Sequence, residues 1–501
     1  MDLSELSAHS VRILSTNILW IVVEQCFPMF LGMLLLAVAD LVSFYFQQIN
    51  FGQDCIYAIN VTYNLKLILG QTLPNQLMFS YALHAADFIA SKNYEEMKAY
   101  YHSLFYLYYL LLPVFLIVNS LIAVYTQTIF GVAKSYYYSI VVQVGCSYAF
   151  NVLSNVNIIK FTAEGRTFIT FCHLCISALV RVAVESMLYF IADVPVNNWP
   201  TVVAFVVTEF SLGVWMTGIN EGRSLLGVTI RNYFNSDLMA IFKGFRDKKQ
   251  VSILIQMLRF GLPRTCYLIV LPMSVLLSHA QIFKTYTNDS QRQDAIYDLF
   301  SFSLYGQFFR VVPTALSYCF FSAAALHYKQ RYYKRVCKLI LTVVIVSVAV
   351  NAIILICFVQ FHVQFIFSTD KDSEYSSTQV KHLFLSCVAG STSIIPEIVS
   401  ILSSFESFFT LNYMLAVFKL IMALITILST SRNNGDTANY YYSLSLTEGV
   451  GVCISTMLLI LFIIKFLFVY KDVEKGKSGS KGKVKNEFIF YILYYIHYQN
   501  S

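Results

Sequence analysis

Charged side chains are scarce in this sequence, and their scarcity excludes an ordinary soluble domain. Only 13% of the 501 residues are Asp, Glu, Lys or Arg, whereas soluble domains carry about 25%. Hydrophobic residues make up 57% of the chain and aromatic residues 16%. The apolar residues occur in runs of about 20 or more, separated by short polar gaps, which is typical of a multi-pass helical membrane protein.

Motifs for catalytic or energy-yielding chemistry are also missing. The chain has no glycine-rich nucleotide-binding loop, no HExxH zinc motif and no nucleophile elbow. The segment CHLC (Cys172 to Cys175) is a lone CxxC with His173 between the cysteines, inside an apolar span, and buried thiols explain it better than a metal site. We therefore expect no enzyme activity, no cofactor, no metal centre and no drive from ATP.

The first residues lack the pattern of a cleaved signal peptide. In MDLSELSAHSVRILSTN no basic region leads directly into a short apolar stretch. We expect the first membrane span to act as the insertion signal.

Twelve apolar segments are long enough to be spans. A polar connection over 220–250, the longest before the tail, divides them six and six. We predict an amino-terminal lobe over 1–219, a cytosolic linker over 220–250, a carboxy-terminal lobe over 251–470 and a basic, aromatic cytosolic tail over 471–501. The predicted spans are 13–46, 56–90, 99–126, 136–159, 167–192, 199–219, 251–282, 295–327, 336–361, 381–404, 410–430 and 440–470.

The distribution of Lys and Arg predicts the orientation. With the amino terminus in the cytosol, the segments on that side carry 21 Lys and Arg and those on the other side carry six. Since cytosolic loops are enriched in basic residues, both termini should be cytosolic, in the plasma membrane or an internal membrane. The formal net charge of +7 then reflects these loops and requires no nucleic-acid partner.

Three segments recur at a nearly constant spacing. The offsets are 235, 236 and 237 residues, for CFPMF at Pro28 with FGLPRT at Pro263, GQTLP at Gly70 with GQFFRVVP at Gly306, and SYALHAADF from Ser80 with SYCFFSAAA from Ser317. Because six spans separate the copies, the halves face the same way. Parallel repeats of this kind are common in transporters, which argues against a receptor or a membrane enzyme.

Asp40 lies inside the first apolar span, in PMFLGMLLLAVADLVSFYF. A charge at the centre of a bilayer costs about 2.5–3.5 kcal/mol on insertion scales, so such residues usually have a function. Glu185, in the fifth span, should lie at a similar depth, and Arg181 precedes it by one helical turn on the same face. We expect these three side chains to meet inside the bundle.

Two interpretations of this trio are open. In one, Arg181 bridges Asp40 and Glu185 and locks two helices together. In the other, the carboxylates form a coupling site for a proton or a sodium ion. Arg181 would then either oppose cation binding or move between the carboxylates during the cycle.

Further charged residues are weaker candidates. Arg310, Glu397 and Lys419 are predicted to face a central cavity in the second half, where they would contact substrate. The position that repeats Asp40 lies near Val275, so the sequence places the coupling site in the first half alone.

Two other charges, Lys66 and Glu209, lie in or near spans of the first half. We expect both side chains to extend toward a membrane interface.

The segments that carry these residues resemble the multidrug and toxic compound extrusion (MATE) family. PMFLGM followed by VADLVSFYF is similar to the family's first helix, where a proline begins the motif and an aspartate follows near its end. ALHAADFIASKNYEEMKAYYHSL resembles the end of its second helix, and SNVNIIKFTAEGRTFITFCHLCISALVRVAVESMLYFI its passage from helix four to helix five. Where the family usually has an asparagine and, four residues on, an aspartate, this chain has Arg181 and Glu185.

The resemblance implies an all-α membrane protein with twelve transmembrane helices in two six-helix lobes, V-shaped around a central cavity. It implies a secondary transporter that exports organic cations or other amphiphilic compounds in exchange for protons or sodium. The cation-coupling role would pass to Asp40 and Glu185, and the departure at Arg181 leaves the ion open.

Lipid-linked oligosaccharide flippases share this architecture and are the alternative function. A net positive cavity, supplied by Arg181, Arg259, Arg264 and Arg310, would favour a phosphate-bearing lipid, and a net negative cavity an organic cation. We expect a monomer whose partners are a small organic substrate and membrane lipid.

Overall fold

The structure is a computed structural model that is almost entirely helical in the residues it describes. These residues are 8–52, 55–72, 84–85, 88–89, 91–164, 166–191, 198–219, 248–360, 377–405, 409–432 and 437–474. Most of the predicted linker, the predicted tail from residue 475 and residues 361–376 lie outside them. The all-α prediction is confirmed.

Fourteen α-helices follow one another along the described parts of the chain. They are α1 (Ala8–Ser15), α2 (Ile18–Phe51), α3 (Cys55–Leu65), α4 (Tyr94–Phe130), α5 (Tyr137–Ala163), α6 (Thr167–Ile191), α7 (Trp199–Ile219), α8 (Lys248–Thr285), α9 (Asp289–Lys329), α10 (Tyr333–Gln360), α11 (Ser377–Thr392), α12 (Ile394–Phe405), α13 (Phe409–Arg432) and α14 (Thr437–Glu474). A π-helix, Lys66–Thr72, continues α3.

Every predicted span overlaps at least one of these helices. Within the described residues, nine helices are long and apolar enough to cross a membrane. Their outward faces carry exposed apolar side chains such as Leu121, Phe190 and Met457, which suits contact with lipid. The chain is an integral, multi-pass membrane protein.

Two predicted spans differ from the structure for local reasons. The first begins at Ile18 rather than 13, because the Asn17 side chain accepts a hydrogen bond from the Leu19 N–H at 3.0 Å and caps α2. The tenth, predicted as one helix over 381–404, is broken between α11 and α12 at Ser393. Pro396 has no N–H to donate to the carbonyl four residues earlier, so one helical hydrogen bond is missing next to this break.

The same helix pairs pack in both halves of the chain. In the first half α2 packs on α6, α5 on α7, and α6 on α7; in the second half α8 packs on α13, α12 on α14, and α13 on α14. These are the first and fifth, fourth and sixth, and fifth and sixth spans of each half. The recurrence confirms a parallel duplication into two six-helix lobes.

The lobes meet where α2 packs on α9 and α4 on α8. We call the side on which α2 begins proximal and the side on which it ends distal. On the proximal side Tyr100 donates a hydrogen bond to Gln256 at 2.5 Å, and Ser322 donates one to Gln25 at 3.3 Å.

On the distal side, Asn60 Nδ2 of α3 lies 3.0 Å from His279 Nδ1 of α8, and both side chains are fully buried. The other ring nitrogen of His279 lies 3.0 Å from the backbone oxygen of Phe130. The lobes are therefore hydrogen-bonded to each other on both sides of the space between them.

Candidate functional site

A cavity of about 430 Å³ lies between the two lobes. Residues of both lobes line it, and the lining contains nine side chains that carry a formal charge. They are Asp40, Lys66, Arg181, Glu209, Arg264, Arg310, Glu397, Lys419 and Glu448. Because charges inside a membrane bundle are costly, their concentration around one space marks it as the candidate site.

Asp40, on α2, uses both carboxylate oxygens at the wall of this cavity. Arg181 Nη2 lies 2.6 Å from Oδ1, and Lys66 Nζ lies 3.9 Å from the same oxygen. Gln307 Nε2, on α9 of the other lobe, donates a hydrogen bond to Oδ2 at 3.0 Å. A single carboxylate is thus bonded to residues of both lobes.

Glu185 is joined to this cluster through a hydroxyl. Arg181 Nη2 donates to Ser43 Oγ at 3.0 Å, and Ser43 donates in turn to Glu185. Thr201 donates to the other oxygen of Glu185 at 2.5 Å, and Glu185 is fully buried. The three residues that sequence analysis expected to meet do meet, with Arg181 bonded to Asp40 directly and to Glu185 through Ser43.

Lys66 does not extend toward an interface, and that expectation was wrong. It is the first residue of the π-helix, its Nζ lies 4.4 Å from the centre of the Phe205 ring, and its side chain is 11% exposed. Glu209 also lines the cavity. The π-helix has a wider turn than an α-helix, and such segments occur often at functional sites.

A second charged cluster lies in the other lobe. Lys419 Nζ is 2.6 Å from one oxygen of Glu448, and Arg310 Nη2 is 3.7 Å from the other. Lys419 Nζ also lies 4.7 Å from the centre of the Tyr267 ring. Ionisable groups thus cluster in both lobes, although Asp40 itself has no acidic counterpart near Val275.

Glu448 is a site residue that sequence analysis missed. A signal was present, because the segment SLTEGVGVCISTMLLILF places one carboxylate in an apolar run, as the segment around Asp40 does. Gln307, which bonds to Asp40 across the lobes, carries no such signal, since an amide in a span is unremarkable.

Glu397 forms an ion pair with Arg264, from α12 to α8, and both side chains are largely buried in the cavity wall. Arg310, Glu397 and Lys419 all line the cavity where the sequence placed them. Arg259, expected as a further cavity cation, is instead exposed on α8.

The charges around the cavity nearly balance. Its lining has five cations and four carboxylates, which leaves one positive charge in excess. The strong negative excess that would select an organic cation is not found among these lining residues.

The CHLC segment lies on α6. His173 is buried and lines the cavity, while Cys172 and Cys175 are partly exposed. No group of three or more His, Cys, Asp or Glu side chains within the described residues is arranged to hold a metal ion.

Comparison by sequence finds no relatives: no protein-family model matches the chain, and no curated protein matches it. Solved structures nevertheless share its fold over nearly the whole length. A variant of the Vibrio cholerae MATE transporter VcmN superposes with a TM-score of 0.66 at 11% identity, covering 88% of this chain and 96% of its own. The eukaryotic MATE transporter AtDTX14 superposes with a TM-score of 0.65 at 14% identity, covering 89% and 95%.

A third similar structure is a MOP-superfamily transporter from Pyrococcus furiosus, with a TM-score of 0.66 at 13% identity over 92% of this chain and 99% of its own. Reversed polarity of its binding pocket is described as suggesting a different function. At these identities the likeness shows a common fold. The resemblance to the MATE family that the sequence predicted is confirmed at that level.

Proposed function

We propose that the protein is a secondary transporter that moves an amphiphilic organic compound through the cavity between its lobes in exchange for protons or sodium. One observation carries the proposal: the carboxylate of Asp40 contacts Arg181 of its own lobe at 2.6 Å and Gln307 of the other lobe at 3.0 Å. The protein would act as a monomer with both termini in the cytosol.

In this mechanism the lobes open on one side at a time around the cavity. Opening moves α2 relative to α9, and it therefore stretches or breaks the bond from Gln307 to Asp40. A proton or sodium ion on Asp40 neutralises the charge that holds Gln307 and Arg181. Ion binding and lobe arrangement are then linked, and each biases the other.

A coupling ion has room beside Asp40. A small polar cavity of about 30 Å³ is lined by Asp40, Ser43, Thr201 and Asn198 among others, and about 10–15 Å³ of such space is enough for one water molecule. Because Arg181 already contacts Asp40, the ion has to displace its guanidinium. Ser43, which bonds to both Arg181 and Glu185, offers Arg181 a second position.

A lipid-linked headgroup flippase is the second candidate. The excess of one cation around the cavity favours it, because a phosphate-bearing substrate requires positive charge. The Pyrococcus furiosus structure, with its reversed pocket polarity, offers a parallel for such a departure.

Reconstituted proteoliposomes test the two candidates together. Uptake of a fluorescent organic cation and of a fluorescent organic anion is measured under an imposed proton gradient and, separately, an imposed sodium gradient. Antiport predicts accumulation of one dye under one gradient, absent from protein-free liposomes and abolished when an ionophore collapses that gradient. Movement of a fluorescent phospholipid between leaflets, with neither dye accumulating under either gradient, would replace the antiporter with the flippase.

A further inference from the structure

We propose that Arg310 binds an acidic group, a carboxylate or a phosphate, on the compound that the cavity receives. This deepens the proposed function, since it takes the central cavity as the substrate site and names the chemistry of the substrate's head group.

Arg310 differs from the other cavity cations in its exposure. Its side chain is 30% exposed, whereas those of Arg181, Arg264 and Lys419 are 5 to 8% exposed and that of Lys66 is 11% exposed. Arg310 is therefore the cation that faces the open space most directly.

Arg310 also has the most spare hydrogen-bonding capacity. Lys419 holds Glu448 at 2.6 Å, while Arg310 stands 3.7 Å from the same carboxylate, which is beyond hydrogen-bonding distance. Among the described residues, Glu448 is the only residue with which Arg310 forms an ion pair, and Arg310 forms no hydrogen bond through its side chain. A guanidinium has five N–H donors arranged as a planar fork, so nearly all of them are available to a ligand.

Lys66, the other loosely paired cation, is differently placed. Its ammonium lies 3.9 Å from Asp40 and over the face of Phe205, and the ring face itself stabilises the charge. Arg310 has no ring face of this kind within the described residues, so the single excess positive charge of the cavity is assigned to it.

A carboxylate or phosphate is the natural ligand for such a guanidinium. Both present two oxygens that match the fork, and bidentate charge-assisted hydrogen bonds are among the strongest in proteins. The apolar remainder of the same lining includes Leu36, Leu67, Leu271 and Val275. The cavity therefore suits an amphiphile with an acidic head and an apolar body.

The test is equilibrium binding of four matched probes to the full chain in phosphatidylcholine nanodiscs, with no ion gradient. Each probe is a dansyl-aminohexyl chain that ends in a carboxylate, a phosphate, a hydroxyl or a trimethylammonium group, and dansyl fluorescence reports binding. We expect the carboxylate or the phosphate probe to bind about tenfold more tightly than the hydroxyl probe. Tighter binding of the phosphate probe points to a phospholipid-type ligand, and tighter binding of the carboxylate probe to a free organic acid.

Two variants and one control assign the preference to Arg310. Arg310→Gln should reduce anionic-probe affinity about tenfold, to that of the hydroxyl probe, and Arg310→Lys should retain part of the preference. Arg12→Gln, which removes an exposed arginine paired with Glu24, should change nothing.

Three results would overturn the proposal: tightest binding of the trimethylammonium probe, equal binding of all four probes by the wild-type chain, or an anionic preference that survives in Arg310→Gln. The wild-type results decide even if a variant fails to fold. Because no gradient is used, a failure here is separate from a failure of coupled uptake in proteoliposomes.

Discussion

The two lobes carry the same set of charges at three corresponding helices and differ in what each adds to it. The pairs are Lys66 and Arg310 on the second span of each lobe, Arg181 and Lys419 on the fifth, and Glu209 and Glu448 on the sixth. Arg181 and Lys419 are 238 residues apart, and Glu209 and Glu448 are 239 apart, close to the offsets of the sequence repeat. Two cations and one carboxylate are thus common to both halves.

Each lobe also has a charged residue that the other lobe lacks. The first lobe adds Asp40, whose carboxylate bonds to Gln307 of the second lobe at 3.0 Å. The second lobe adds Glu397, which pairs with Arg264 of its own lobe. A charge that bonds across the interface can link ion binding to lobe movement, whereas a charge neutralised within its lobe serves that lobe's packing and the shape of the cavity.

Replacing the fifth-span cation in each lobe should give the largest effect. Arg181→Leu leaves both Asp40 and the fully buried Glu185 without their arginine, and breaking such a buried pair costs about 3–5 kcal/mol. Lys419→Leu leaves Glu448 with Arg310 nearby, so this variant should lose less stability than Arg181→Leu. Thermal unfolding in detergent, followed by intrinsic fluorescence, compares the two.

The double variant Arg181→Leu with Asp40→Leu provides the control for that comparison. It should be more stable than Arg181→Leu alone, because no unpaired carboxylate remains at position 40. Equal losses of stability for Arg181→Leu and Lys419→Leu would mean that both lobes depend equally on the cation of their fifth span.

Neutralising one carboxylate in each lobe tests which lobe couples transport. Asp40→Asn should reduce gradient-driven accumulation in proteoliposomes about 100-fold, equivalent to about 2.7 kcal/mol, because the charge that responds to the ion is gone. Glu448→Gln should reduce it only about threefold. Both variants must remain monodisperse; undiminished accumulation by Asp40→Asn removes Asp40 from the mechanism.

The bond between the lobes can be removed without touching a charge. Gln307→Leu deletes a hydrogen bond to a charged group, worth about 1.5–3 kcal/mol. We expect gradient-driven accumulation to fall about tenfold while exchange of labelled for unlabelled substrate continues. Gln281→Leu, on α8 outside the cavity lining, is the matched control, and an equal fall in both exchange and accumulation would argue for simple misfolding.

The smallest effect is expected at the proximal contact. Tyr100→Phe removes the hydrogen bond to Gln256, worth about 1 kcal/mol, and should favour opening on that side. Alkylation of the buried Cys26 and Cys319 should rise about threefold, measured by mass spectrometry. Tyr125→Phe, at an exposed tyrosine, should leave alkylation unchanged. Equal alkylation of the two variants would contradict the idea that the hydrogen bond from Tyr100 to Gln256 holds the proximal side closed.

Sequence reasoning reached the architecture and part of the site because both depend on local pattern. Apolar runs predicted the spans, repeat spacing predicted the two lobes, and the one-turn separation of Arg181 and Glu185 placed them on one face of α6. Asp40 was expected to meet them because it lies at a similar depth in a span that runs in the same direction.

What sequence reasoning missed depends on contacts between distant elements. Gln307 and Asp40 are 267 residues apart, and no local pattern pairs an amide with that carboxylate. Lys66 was assigned to an interface because long charged side chains in or near spans usually extend to one, whereas its ammonium lies over Phe205 and near Asp40. Glu448 is placed at the cavity by its contact with Lys419 on the preceding helix, and no local pattern in the sequence pairs these two residues.

The hydrogen bonds on the distal and the proximal side have a pharmacological consequence. In the transport cycle proposed above, the contact of Asn60 with His279 and the contact of Tyr100 with Gln256 would break at different moments. A molecule that stabilised either contact would therefore arrest the cycle from outside the cavity. Such a molecule would act without occupying the site of the cargo.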